Sequence, residues 1–279
     1  KLRPDVIFIK GGFVGVPVGL SAAVRHLPFV THDSDAIPGL ANRIIGRWAR
    51  LHAVALPKEV YSYSPARTVT VGVPIQGDFK PVSPALMKEY KTKLGLESYD
   101  RVLFITGGGL GAQRLNADVV KILPELLEAD PSLAVVHGAG RPHEAILNQK
   151  YDTTIAASQR SRVVVKGFIS DLYVYSGAAD VIITRAGATN LAEFAVQGKA
   201  CILVPNPQLT GGHQIKNAAA LADQDAVVVV TEADLKHNPA LLKLQVERLL
   251  NDEAARSGLG ANLAKFAHLT ATHDLAVLL

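Results

Sequence analysis

The segment from Phe168 to Lys199 carries the densest chemistry in the chain. An apolar run from Ala179 to Thr184 reads as a buried strand, and it passes through Arg185-Ala186-Gly187-Ala188 into a helix bearing Thr189 and Glu193. A helix start presents unpaired backbone N–H groups and the positive end of the peptide dipoles, so this turn suits a phosphate. Glu193, further along the same helix, is placed to accept two hydroxyls of a ribose. The same residues also fit an ordinary strand–helix unit in which glycine only lets the chain turn.

Two more glycine loops share that setting. Lys10-Gly11-Gly12-Phe13-Val14-Gly15 follows the run Val6–Ile9, and Thr106-Gly107-Gly108-Gly109-Leu110-Gly111-Ala112 follows Val102–Thr106. Ligands of open α/β sheets sit at such strand ends. Consecutive glycines that open a helix are costly unless something must approach the backbone closely. For the first loop a tight turn with a surface lysine is the plain alternative. The second lacks the Lys-Ser/Thr of a nucleotide-hydrolase loop and a convincing acidic partner about 20 residues on, which disfavours a nicotinamide cofactor. A polar loop, Pro205 to Gln214, leads to a helix with Asn217. His213 and Gln214 at its start can bond sugar hydroxyls or simply serve capping and turn chemistry.

His32-Asp33-Ser34-Asp35 follows Phe29–Thr31. Asp-Ser-Asp is similar to a metal-binding DxD, since two carboxylates on a loop can hold Mg²⁺ or Mn²⁺ against a nucleotide diphosphate. The phosphate loops cluster later in the chain, which favours a polar wall of an active-site cleft. Other His, Asp and Glu groupings lack metal-ligand spacing, and no G-x-S-x-G elbow occurs. No metal and no cofactor are expected.

The elements that must position these loops alternate as α/β architecture requires. Expected strands are Val6–Ile9, Phe29–Thr31, Ala53–Leu56, Val69–Val71, Val102–Thr106, Ala134–His137, Val163–Val165, Val181–Thr184, Cys201–Val204 and Val227–Val230. They are rich in Val, Ile and Leu on both faces, as parallel strands covered on both sides must be. Three prolines between Pro74 and Pro84 mark a linker, with helix Pro84–Leu94 beyond it. The expected domains are 1–78, 79–260 and a helical tail 261–279 that packs back on the first. The chain starts at Lys1 almost on a strand, so the first domain reads as lacking its beginning.

At 279 residues the chain has room for two ordinary domains, and its net charge of +4 suits an anionic ligand or membrane surface but is too weak for nucleic acid. A lone Cys201 excludes an intramolecular disulfide and a cysteine zinc cluster. The nearly uncharged stretch Val6 to Val24 contains Lys10, Pro17 and several glycines, which suit a strand, loop and helix start rather than a membrane span or signal peptide.

Taken in order, the motifs resemble the MurG family of GT-B glycosyltransferases. Lys10-Gly11-Gly12-Phe13-Val14 is similar to the family's GGYVS, and His32 through Asn42 to HEQNxxPGLxN. Gly72-Val73-Pro74-Ile75-Gln76 stands for GNPVR, and Gly107 through Ala112 for GGSxGA. Phe168-Ile169-Ser170-Asp171 matches the FIDDM region, Arg185 through Glu193 matches RxGAxTxxE, and His213-Gln214 through Asn217 matches QQxxNA. The resemblance implies two Rossmann-like doubly wound parallel-sheet domains with a nucleotide-sugar cleft between them.

It also implies roles. Transfer would be inverting and metal-independent, moving N-acetylglucosamine from UDP-GlcNAc to an undecaprenyl-diphospho-muramyl-pentapeptide in peptidoglycan synthesis. The Ile169 backbone beneath Phe168 would read uracil, and Glu193 the ribose. Gly108, Gly109 and Gly111 would hold the diphosphate with Arg185, Gly187, Ala188 and Thr189. His213 and Gln214 would contact the sugar. Lys10, Gly11, Gly12, Asp35 and Gln76 would face the acceptor. The enzyme would work on the inner face of the cell membrane, held peripherally. Arg43, Arg47, Trp48 and Arg50 on one short helix are candidate contacts by their own chemistry, and a solvated basic face is the plainer reading of them. Asp35, Gln76, Gly109 and His213 depart from the family's Asn, Arg, Ser and Gln. The family's proposed base histidine would lie upstream of Lys1, leaving His32 or Asp35 as substitutes. Open alternatives are another acceptor, a nucleotide-sugar epimerase, or a donor-binding module inactive by itself.

Overall fold

Short Val- and Ile-rich runs with no polar face are stable only in parallel sheets covered on both sides, and the chain builds two such sheets. The computed structural model describes residues 3–109 and 111–279, with Thr210 described by its backbone alone. The chain divides into two compact units: Lys1–Gly77 with Phe266–Leu279, and Asp78–Lys265. Gly72 to Ser83, across the division, forms no helix or strand.

In the first unit, β1 (Ile7–Ile9), β2 (Phe29–Asp33), β3 (Leu51–Val54) and β4 (Thr68–Thr70) pair in parallel in that order. Ile9 and Phe29 pack with Ala22 and Ile45. Helix Gly15–Val24 lies tightly on this layer, because a Cβ on Gly15 or Gly19 would come within 2.8 Å of Ile9 or Ile45. Val30, Ala53 and Val71 form a separate cluster closed by Leu275 of the C-terminal helix Ala271–Leu278. Two boundaries differ from expectation. β2 continues through His32 and Asp33, which pair with Ala53 and Val54, so these two are strand residues. β3 starts two residues earlier than its apolar run, because its register sets Leu51 beside Val30.

In the second unit, β5 (Arg101–Thr106), β6 (Leu133–Gly138), β7 (Val163–Lys166), β8 (Val181–Thr184), β9 (Ala200–Leu203) and β10 (Val228–Val229) form a parallel sheet. Their order is β10-β9-β8-β5-β6-β7. The chain runs outward from β5 to β7, then returns to lay β8 on the other side of β5. A crevice opens at the carboxyl ends of the two strands where direction reverses. Helix Gln113–Ala129 supplies the core face with Leu115, Val119, Ile122, Leu123, Leu126 and Leu127, a helical spacing. Helix Pro84–Lys93 opens with Pro84 in its first turn, and the Ser83 side chain accepts from Leu86 N–H at 3.2 Å. Buried Lys199 donates to the carbonyls of Gly177 (2.7 Å) and Ala179 (2.9 Å), tying down the end of helix Leu172–Ala178. Burial pushes its pKa down to about 8.

Candidate functional site

At the carboxyl ends of β5, β6 and β7 lies a pocket walled by Gly108 and Gly109 after β5, Gly138 and Gly140 around the end of β6, Gly167 to Ile169 after β7, and Asn190 after β8. Thr106 forms its floor and accepts from Gly108 N–H at 3.2 Å, folding the glycine loop back on its own strand. Gly111 takes φ +74°, and its N–H donates to Gly108 O at 2.9 Å. Leu110, part of the same sequence motif, lies outside the described residues. Phe168 is 53 % exposed, and the Arg141 guanidinium stands 4.3 Å above its ring. The sequence had singled out Gly108, Gly109, Phe168 and Ile169, and one pocket gathers all four.

Two helices start beside this pocket without a side-chain cap. Gly187 precedes Ala188–Gln197, and Ala112 precedes Gln113–Ala129; neither side chain accepts from the first N–H groups. Ala188 and Thr189 thus sit in an uncapped first turn, which is a ready anion site. Further along, Glu193 is 8 % exposed and its Oε2 is buried with no hydrogen-bond partner. Burial pushes its carboxyl up to about 7. A native fold pays to keep such an atom unpaired, so a ligand that donates to it is the physical expectation.

Arg185 is not presented as a free cation. It is 6 % exposed, its guanidinium donates to Val204 O at 2.8 Å, and it pairs with Glu232 at 2.9 Å. Glu232 also pairs with Arg114 at 3.0 Å, so one carboxylate ties the start of the Gln113 helix to the β8 turn. Arg185 therefore braces the turn between β8 and the Ala188 helix. The sequence could not show this, because Glu232 arrives from beyond β10. Gln214 is 8 % exposed and its Oε1 accepts from Asn206 N–H at 2.9 Å, while Asn217 donates to Ala186 O at 3.0 Å. Both hold loops around the β8 and β9 ends. His213 opens helix His213–Ala222, half-buried.

In the first unit the expected residues separate into two groups. Lys10, Gly12 and Gln76 are exposed, with Gly11 and Gly12 at φ +101° and +78°. Asp35 is half-buried, and its carbonyl accepts from the Tyr61 hydroxyl at 3.0 Å. His32 does not fit the role of base. It has no exposed surface, and Nε2 donates to the Gly72 carbonyl at 2.9 Å. Desolvation by burial lowers its pKa. Asp33 accepts from Gly39 N–H (2.9 Å), Asn42 Nδ2 (2.9 Å) and the Tyr63 hydroxyl (2.8 Å), so both oxygens are spent. The Asp-Ser-Asp sequence is thus half strand and half loop, and its first carboxylate is a structural acceptor. Among the described residues, no group of three or more His, Cys, Asp or Glu side chains is placed to hold a metal ion.

Sequence reading missed Gly138, Gly140, Gly167, Leu172 and Asn190 in the pocket wall, and Arg141 at its rim. A signal existed for two of them: Gly138-Ala139-Gly140 is another glycine turn at a strand end.

The profile of the glycosyltransferase family 28 C-terminal domain matches residues 102–272. The UDP-N-acetylglucosamine–N-acetylmuramyl-(pentapeptide) pyrophosphoryl-undecaprenol N-acetylglucosamine transferase of Geotalea daltonii is 32% identical over 271 residues, covering 97% of this chain and 70% of that protein. Its namesake from Natranaerobius thermophilus is 28% identical over 280 residues, covering 100% of this chain and 75% of that protein. The crystal structure of Acinetobacter baumannii MurG superimposes with a TM-score of 0.74 at 25% identity, over 98% of this chain and 74% of that one. On the family match and the similarity of these relatives, the chain belongs to glycosyltransferase family 28 and, within it, to the MurG family.

Proposed function

We propose that the chain transfers N-acetylglucosamine from UDP-GlcNAc to an undecaprenyl-diphosphate-linked muramyl-pentapeptide, with inversion and without a metal. The observation that carries the donor half is the glycine-walled pocket at the β5/β8 switch point, with a buried carboxylate oxygen that has no partner on Glu193, three residues beyond Asn190 of the pocket wall. Uracil would enter beneath Phe168, against the backbone of Ile169. The ribose hydroxyls would donate to Glu193, and the diphosphate would meet the glycine-loop N–H groups and the two uncapped helix starts. The names of the relatives support the acceptor class.

In the reaction the acceptor hydroxyl gives its proton to a base and attacks the anomeric carbon from the face opposite UDP. The bond from that carbon to the diphosphate oxygen breaks, and UDP leaves with the electron pair. Preorganised N–H dipoles stabilise the departing charge without reorganising. Arg185 contributes by fixing the turn, through Glu232 and Val204. With His32 sequestered, Asp35 is the group among the two substitutes that lies at a strand end with some exposure.

Peripheral binding at the inner face of the cell membrane is part of the same reading. Among the described residues no helix is long and apolar enough to cross a membrane. Helix Leu40–Ile45 and the turn Gly46–Trp48 expose Leu40, Arg43, Ile44, Arg47 and Trp48, a mixed basic and apolar surface suited to anionic lipid. Arg47 stacks on Trp48 at 3.8 Å, and Arg50 lies beyond the turn.

A thermal-shift panel of nucleotide sugars tests the donor. UDP and UDP-GlcNAc should stabilise the protein, while GDP- and CDP-sugars should not. Transfer from UDP-GlcNAc to the lipid-linked acceptor should persist in EDTA; strict dependence on added Mn²⁺ would reject the metal-free course.

A further inference from the structure

A line of hydrogen bonds runs through the core of the second unit, from Tyr151 to His137 to Asn116. Tyr151 and His137 have no exposed surface, and Asn116 is 4 % exposed. The far end fixes the direction of the line. The Ala139 carbonyl only accepts, so Asn116 must donate to it through Nδ2, at 3.0 Å. Asn116 Oδ1 then faces His137 Nε2 at 3.1 Å, and Nε2 carries the imidazole proton. Nδ1 is left bare and accepts from the Tyr151 hydroxyl at 2.8 Å. Burial pushes the His137 pKa down to about 3, so ring and tautomer stay unchanged across the working pH range.

The carbonyl at which the line ends carries the glycine loop. Ala139 lies between Gly138 and Gly140, both in the pocket wall. A Cβ on Gly111 would stand 2.3 Å from the Ala139 oxygen, so only glycine lets the loop rest there. Gly111 in turn closes onto Gly108 O, and Gly108 and Gly109 line the pocket. Ala139 N–H is held from the other side by Lys166 O at 2.8 Å. Asn116 belongs to the first turns of the helix into which the glycine loop opens. Its amide therefore ties the helix that follows the β5 loop to the end of β6, at the carbonyl on which Gly111 rests.

We propose that Asn116 and His137 are positioning residues of the donor pocket, setting the seat of the glycine loop on Ala139. Neither touches the ligand; they act through the Ala139 carbonyl. The proposal rests on the reading of this pocket as the nucleotide site.

The test compares Asn116→Leu, Tyr151→Phe and Val119→Ala in the full chain. Leu keeps the bulk of Asn116 and removes both of its bonds. Tyr151→Phe removes one oxygen at the far end of the line, a mild change. Val119→Ala removes fully buried packing from the same helix without touching the line. Two readouts are taken: amide hydrogen exchange at Gly108, Gly109 and Gly111, and the Kd for UDP. Asn116→Leu should speed loop exchange and weaken UDP binding by about tenfold each, and Tyr151→Phe by about threefold, with Val119→Ala within about twofold of the parent. Equal values in Asn116→Leu, Tyr151→Phe and Val119→Ala would overturn the proposal. Loosened loop exchange together with a parent protein that does not bind UDP would uphold the seating of the loop and reject the donor reading instead.

Discussion

Two buried carboxylates, one in each unit, have opposite surroundings. Asp33, 4 % exposed at the end of β2, accepts from a backbone N–H, an amide and a phenol. Glu193, 8 % exposed in the Ala188 helix, leaves Oε2 with nothing. Both lie in motifs that the sequence marked for chemistry. The difference teaches that the residue type names a capability, and the hydrogen-bond inventory says whether the fold has already consumed it. Asp33 is consumed: with Tyr63 stacked on His52 at 3.8 Å, and His52 bonded to Thr31 at 2.8 Å, it braces the strand ends of the first unit. Glu193 is held open.

The contrast is broken most severely by removing Asp33. Asp33→Ala leaves three donors without their acceptor, and should lose about 3–5 kcal/mol of stability in denaturant unfolding, with UDP affinity unchanged. A variant of normal stability that no longer binds UDP would reverse the roles assigned to the two carboxylates.

Next comes the pH dependence that an unpaired carboxylate imposes. Glu193 titrates at about 7 in the folded chain against an ordinary 4.5. Both states are protonated below that ordinary value, so its contribution to stability is fully present there. It is lost as pH rises through about 7, by an amount on the order of 3 kcal/mol. Unfolding curves at pH 5 and pH 8 should show this loss, and Glu193→Gln should remove it. UDP binding has the opposite sign, because the ribose hydroxyls donate to the ionised form. Affinity should rise about tenfold from pH 6 to pH 8, and the Gln variant should be flat.

The smallest effect is expected at the pocket rim. Arg141→Ala removes the cation above Phe168 and should weaken UDP binding by about 0.5–1 kcal/mol. A loss as large as that of a Glu193 variant would make Arg141 a principal ligand contact.

Much of the framework is legible in the sequence. Strands apolar on both faces and glycine loops at their ends point directly to parallel α/β units, and every expected strand has a counterpart within a few residues. The pocket residues that were legible, Gly108, Gly109, Phe168 and Ile169, lie on the strand-end loops themselves. What was hidden depends on partners from distant elements. His32 reads as a loop base until β3 extends β2 over it, and Arg185 reads as a phosphate cation until Glu232 claims it. The Tyr151–His137–Asn116 line joins three elements with no shared sequence pattern. Local residue types cannot report where the third dimension spends their hydrogen bonds.

The contrast between the two carboxylates turns finally on what Glu193 Oε2 is kept for. Calorimetric titration of UDP into the parent protein and Glu193→Ala at pH 8 reads this directly. Loss of charge-assisted bonds to the ribose should weaken binding roughly tenfold to a hundredfold, about 1–3 kcal/mol, with the fold intact. Equal affinity in the two proteins would contradict the ribose assignment.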